Sequence, residues 1–145
     1  MYNLNTMKKL KEITQSKNLK IIEDAAHALG AHYVTGEKVG SCAYSDMTVF
    51  SFHPVKSITT GEGGMLVSKN ENLLIEARKT KAFYYSKNIG ERNVPGLYDI
   101  VGFGLNLRMS EIAAAIGVEQ LKKLPTFLEI RSQNIEVFTD SIETD

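Results

Sequence analysis

Residues Met47–Ser68 read MTVFSFHPVKSITTGEGGMLVS. Met47–Phe52 is a short apolar run rich in β-branched and aromatic residues, as expected of a strand. Met65–Ser68 has the same character and is entered through the glycine-rich turn Gly61-Glu62-Gly63-Gly64. Ser51 stands near the end of the first run, and Lys56 follows five residues later. Toward the N-terminus, Leu19–Ile22 is a third strand candidate, mostly apolar, that ends in Glu23 and Asp24. Before it, residues 4–17 form an amphipathic helix. Leu4, Met7, Leu10 and Ile13 recur every third residue, with Lys8, Lys9, Lys11 and Glu12 between them.

Toward the C-terminus, Asn70–Ala82 reads as a helix with Asn70 as its N-cap. Residues 83–105 show no period and hold Pro95 and several glycines. A loop of that length inside a compact domain is usually functional or misassigned. From Ser110 a helical face runs through Met109, Ile112, Ala113, Ile116, Gly117, Gln120, Leu121 and Leu124. Pro125 is expected to interrupt it. A further helix should follow, with Leu128, Ile135, Phe138 and Ile142 on one side. The order is helix, three strands, helix, loop and two helices, which is an α/β class. Three strands are few for this length, so the sheet edges and helix faces are expected to need partners outside these residues.

Composition narrows the function. The 145 residues carry 17 Lys+Arg against 17 Asp+Glu, a net charge of zero. That balance argues against a nucleic-acid binder. No apolar run approaches the ~18 residues of a membrane span. Cys42 is the only cysteine, so neither a disulfide framework nor a cysteine-based zinc site is available, and a reducing cytoplasm is the default expectation. The histidines have no companions at metal-ligand spacing, so no metal is expected.

In open α/β sheets, ligands bind beyond the carboxyl ends of strands. Asp24 and Ser51 end their strands and would sit together there if those strands are neighbours. Each has an ordinary alternative. An Asp at a strand end commonly forms a turn, a serine can bond the backbone, and a lysine after a strand is commonly solvated. The Gly-Glu-Gly-Gly turn is neither a Walker loop nor a dinucleotide fingerprint, yet such a turn lets N–H groups approach an anion. The set is more telling than its members: acid, hydroxyl and amine at successive strand ends.

Three segments, IIEDAAHALGA (Ile21–Ala31), SFHPVKSITTGEGG (Ser51–Gly64) and GLNLRMSEIAAAIGVEQLKKL (Gly104–Leu124), resemble the DegT/DnrJ/EryC1/StrS family of sugar aminotransferases. The resemblance covers nearly the whole chain. It implies the aspartate-aminotransferase-like fold (fold type I), pyridoxal 5′-phosphate as cofactor and a homodimer. It further implies transfer of an amino group from glutamate to a keto group of a nucleotide-linked sugar. It places residues 1–145 in the central part of the cofactor-binding large domain, so that an upstream segment and a C-terminal small domain are expected elsewhere. As a piece, the chain is expected to be inactive alone.

The resemblance also implies roles. Lys56 falls on the Schiff-base lysine, and only a primary amine can serve there. Asp24 falls on the acid that pairs with the pyridine nitrogen. His27 stands where family members carry Gln or His near the ring oxygen. Ser51 matches a serine that donates to the cofactor phosphate, and Asn106 an asparagine that reaches the phosphate of the neighbouring subunit. His32 and His53 are assigned no step. Many relatives have an Arg-x-His-Gly-like turn where this chain reads KAFYYSKNIGERNVPG (Lys81–Gly96), which leaves the identity of the sugar open. Two alternatives remain: a sugar 3-dehydratase, in which histidine replaces the lysine, and a non-catalytic remnant.

Overall fold

The computed structural model describes residues 4–86 and 91–143. The elements are α1 (Leu4–Ser16), β1 (Ile22–Asp24), β2 (Met47–Ser51), β3 (Gly64–Val67), α2 (Glu71–Thr80) and α3 (Glu111–Glu143). The strands form one three-stranded sheet in the order β1-β2-β3. β1 and β2 are parallel, with Ile22 beside Met47, Glu23 beside Thr48 and Asp24 beside Val49. β3 returns antiparallel to β2, with Ser51 opposite Gly64. None of the described helices is long and apolar enough to cross a membrane.

α1 stops because Asn18 takes a left-handed conformation (φ 52). The Asn18 and Leu19 amides then satisfy the Gln15 and Thr14 carbonyls, at 3.2 and 2.8 Å. β1 begins three residues later than the apolar run suggests. Its entry is held by Asp46, whose Oδ2 accepts from the Ile21 amide at 2.9 Å and whose Oδ1 accepts from Lys20 Nζ at 3.1 Å. In return the Ile21 carbonyl accepts from the amides of Asp46 and Met47. Ile21 is therefore engaged by the turn before the ladder starts. Asn70 caps α2 as expected, its side chain accepting from the amides of Asn72 and Leu73.

Successive β-residues face opposite ways. Glu23, Thr48 and Phe50 are buried on one face, while Asp24, Val49 and Ser51 share the other. The buried face packs Phe50, Phe52 and Ile58 against Met7 of α1 and against Ala25, Ala28, Tyr33 and Val39. The last four lie between β1 and β2, so the irregular crossover supplies much of the core.

The C-terminal region corrects one expectation. α3 runs unbroken through Pro125 as a single 33-residue helix. Proline removes one amide donor from the ladder, and packing on both sides of it offsets that loss. Leu124 and Phe127 lie against the core. Leu128 covers Gly30 so closely that a Cβ at Gly30 would fall 2.4 Å from its Cδ1. The expected apolar face is only partly seated. Gln120 accepts from the Thr59 amide and Gly117 approaches Thr60, while Ile112, Ile116 and Leu121 stay exposed within this chain.

Of the stretch read as a loop after α2, residues 87–90 lie outside the described residues, and the described parts are ordered. Ala82 bridges Asn106 and Tyr85 bridges Ile100. The Arg92 guanidinium lies 5.2 and 4.5 Å from the ring centres of Tyr85 and Tyr98.

Asp46 generates a stability prediction. The Ile21 amide, with help from Lys20, holds its carboxyl below the ordinary value of 3.8. Its contribution is therefore present above that value and is lost as pH falls through the lower folded value. Asp46→Ala should cost about 1–3 kcal/mol at neutral pH, and the deficit should shrink in acid. Urea unfolding at both pH values checks this, and a deficit that stays constant with pH would contradict it.

Candidate active site

Parallel pairing sets the carboxyl ends of β1 and β2 side by side. Beyond β1 the chain turns sharply. Asp24 Oδ1 accepts from the Ala26 amide at 3.0 Å, and the Ala25 amide bonds the Val49 carbonyl. This turn, closed by the Ala28 amide on the Ala25 carbonyl, carries His27. Beyond β2, the Phe52 carbonyl accepts from the Thr60 amide and from Thr59 Oγ1, each at 3.0 Å. Residues 53–59 are thus pinched into a closed loop, and the Lys56 amide bonds the His53 carbonyl within it.

Lys56 Nζ lies 2.6 Å from His27 Nε2. At that separation one nitrogen donates and the other accepts. Asp24, His27 and Lys56 together line an open cavity of about 770 Å³, within the size range of small-molecule and cofactor sites. A carboxylate, an imidazole and a primary amine therefore share one hollow at the carboxyl ends of neighbouring parallel strands.

Ser51 shares the sheet face of Asp24, and its Oγ accepts from the His53 amide at 3.4 Å. It does not line the cavity. Asn106 is placed elsewhere, bridged to Ala82, with its Oδ1 accepting from Arg108 Nε at 3.0 Å. His53 sits outside the cavity, its Nδ1 accepting from the Val55 amide. His32 and Tyr33 do line it, although the sequence offers no period or motif that marks them. The signal for Tyr33 lies one strand away. With Asp24 facing the cavity, Glu23 must face the core, and a buried carboxylate needs donors.

The glycine turn has a packing role. None of Gly61–Gly64 lines the cavity. A Cβ at Gly64 would fall 2.7 Å from the Phe50 carbonyl oxygen, whereas one at Gly61 would meet open space. Glycine is thus needed where β3 leaves the turn against β2.

The sequence model of the DegT/DnrJ/EryC1/StrS aminotransferase family matches residues 3–144. The UDP-4-amino-4,6-dideoxy-N-acetyl-beta-L-altrosamine transaminase of Campylobacter jejuni is 40% identical over 138 residues, which cover 94% of this chain and 34% of that protein. The GDP-4-keto-6-deoxy-D-mannose 3-dehydratase of Yersinia pseudotuberculosis is 33% identical, with 95% and 37% covered. Among solved structures, Helicobacter pylori PseC, an aminotransferase involved in the biosynthesis of pseudoaminic acid, superposes with a TM-score of 0.72 at 31% identity, covering 83% of this chain and 30% of that one. The chain spans about a third of the length of the curated relatives it matches.

Gly64→Ala should destabilise the fold by about 1–3 kcal/mol through forced displacement of β2. Gly61→Ala, with a positive φ of 80 but open space, should cost about 1 kcal/mol from backbone strain alone. Denaturant midpoints of the two variants decide the order, and the reverse order would contradict the packing account.

Proposed function

Because the chain belongs to the DegT/DnrJ/EryC1/StrS aminotransferase family, we propose that it moves an amino group from glutamate to a keto group of a nucleotide-linked sugar, using pyridoxal 5′-phosphate. The observation that carries this reading is the meeting of Lys56, His27 and Asp24 at one cavity. The donor set fits the cofactor. It offers a primary amine for the aldehyde, a carboxylate for the ring nitrogen and an imidazole beside the amine, in a hollow large enough for the group. When bound, the cofactor supplies an electron sink for the pair released at the substrate carbon.

The chain's own residues then have separate tasks. Lys56 Nζ is the amine that attaches the cofactor, and as a free amine it can take a proton from a substrate carbon and return it nearby. Asp24 holds a proton on the ring nitrogen through a charge-assisted hydrogen bond. His27 Nε2 orients the amine and can exchange a proton with it. Ser51 Oγ donates to the phosphate beyond β2. Asn106, standing apart from the cavity, serves the phosphate of the neighbouring subunit in a homodimer.

The product is an amino sugar for polysaccharide or related assembly, made in the cytoplasm. The 3-dehydratase reading is disfavoured because Lys56 occupies the position that histidine takes in that branch. Apolar surface left open on β1, β3 and α3, including Ile22, Met65 and Ile112, supports a further point. Activity belongs to this chain once other polypeptide covers those faces, and the 145 residues alone are a poor enzyme.

Tests use the chain expressed with any sequence that flanks it in its gene. Lys56→Ala should abolish the visible absorption of the cofactor-loaded protein and reduce transamination to background. Lys56→Arg should not restore either, because charge is not the requirement. Wild-type absorption in either variant would move the attachment to another amine.

Asp24→Asn should retain cofactor binding and lower turnover by about 10²–10³-fold, the scale of losing one preorganised electrostatic contact. Steady-state kinetics with glutamate and a nucleotide keto sugar measures it. Unchanged turnover would assign the ring nitrogen to a different acid.

A further inference from the structure

Glu23, one residue before Asp24, is 4% exposed. One carboxylate oxygen accepts from the Tyr33 hydroxyl. The other accepts from Ser45 Oγ at 3.2 Å and Thr48 Oγ1 at 3.0 Å. Among the described residues no lysine, arginine or histidine forms an ion pair with it. A buried carboxylate held only by hydroxyls is costly compared with an apolar side chain of similar volume. Its distinctive property is that its directional bonds join three separate segments, its own strand and two others.

Those segments are the ones that shape the cavity. Glu23 belongs to β1, whose next residue, Asp24, lines the hollow. Tyr33 belongs to the crossover and lines the same hollow together with Ala31, His32 and Val34. Ser45 and Thr48 belong to the entry and body of β2, whose far end leads to Lys56. Tyr33 is itself 3% exposed and packed edge-on against Tyr44 at 5.1 Å, so its hydroxyl cannot follow Glu23 elsewhere without moving the wall. We infer that Glu23 is a positioning residue: through Tyr33 it fixes the crossover wall of the cavity relative to Asp24, and so sets the width of the space in which the cofactor ring is held.

The inference rests on the cofactor reading for its consequence and on geometry alone for its mechanism, so two measurements separate them. Glu23→Gln, Tyr33→Phe and Ser45→Ala are compared in the chain with its flanking sequence. Glu23→Gln keeps the volume but lacks one acceptor oxygen, Tyr33→Phe removes the hydroxyl that links Glu23 to the wall, and Ser45→Ala leaves that link intact. Amide hydrogen exchange without cofactor should accelerate about tenfold for residues 31–39 in Glu23→Gln and Tyr33→Phe, the size expected from one lost hydrogen bond. The amides of β2 and β3 should keep their wild-type rates in Tyr33→Phe. Titration with pyridoxal 5′-phosphate, followed by absorption, should give a Kd raised about tenfold in the same two variants, the scale of one lost hydrogen bond. Ser45→Ala should leave that Kd unchanged. Wild-type exchange at 31–39, or equal acceleration in every segment, would overturn the inference and leave Glu23 an ordinary core residue. If the wild-type protein binds no pyridoxal 5′-phosphate, the cofactor reading fails, and the exchange pattern still decides whether Glu23 holds the wall.

Discussion

The parallel pairing of β1 with β2 is the constraint on which the remaining structure rests. Asp24 lies beside Val49, so the two strands end within two residues of each other. The turn carrying His27 and the loop carrying Lys56 then leave from neighbouring points and meet at 2.6 Å. A slip of one residue would turn every β1 side chain to the opposite face. Asp24 would enter the core and Glu23 the cavity. The register is held at the entry by Asp46 on Ile21 and in the middle by the hydroxyls of Ser45 and Thr48 on Glu23.

That arrangement divides two adjacent carboxylates between two environments. One faces a hollow with an amine and an imidazole; the other is enclosed by hydroxyls. The division needs no unusual residue, only the period of two in a strand and a crossover that folds back over one face. The crossover does this without a helix, placing Ala25, Ala28, Tyr33 and Val39 in the core. The other sheet face and most of α3 remain uncovered within these residues, consistent with a chain that spans about a third of its relatives' length.

Much of this was legible in the sequence. Asn70 announces its cap, and the apolar runs at Met47 and Met65 locate β2 and β3 within one or two residues. The acid and the amine could be selected because a strand end followed by a polar turn is where α/β sheets bind ligands, whereas His27 was marked only by the family resemblance. Other features were hidden because they depend on tertiary contacts. The start of β1 is set by Asp46, far along the chain, and the passage of α3 through Pro125 depends on Leu124, Phe127 and Leu128 finding seats on both sides. Gly64 reads as a flexible or anion-binding position until the Phe50 carbonyl is seen beside it. Glu23 looks like an exposed strand end until alternation with Asp24 is enforced.

Lys56, brought to Asp24 by the β1–β2 pairing, is the proposed point of attachment for the cofactor. The most direct measurement is borohydride reduction of the protein loaded with pyridoxal 5′-phosphate, followed by peptide mapping by mass spectrometry. A single phosphopyridoxyl group is expected, on the peptide containing Lys56. The group on any other lysine, or no covalent group in a protein that has bound the cofactor, would contradict it.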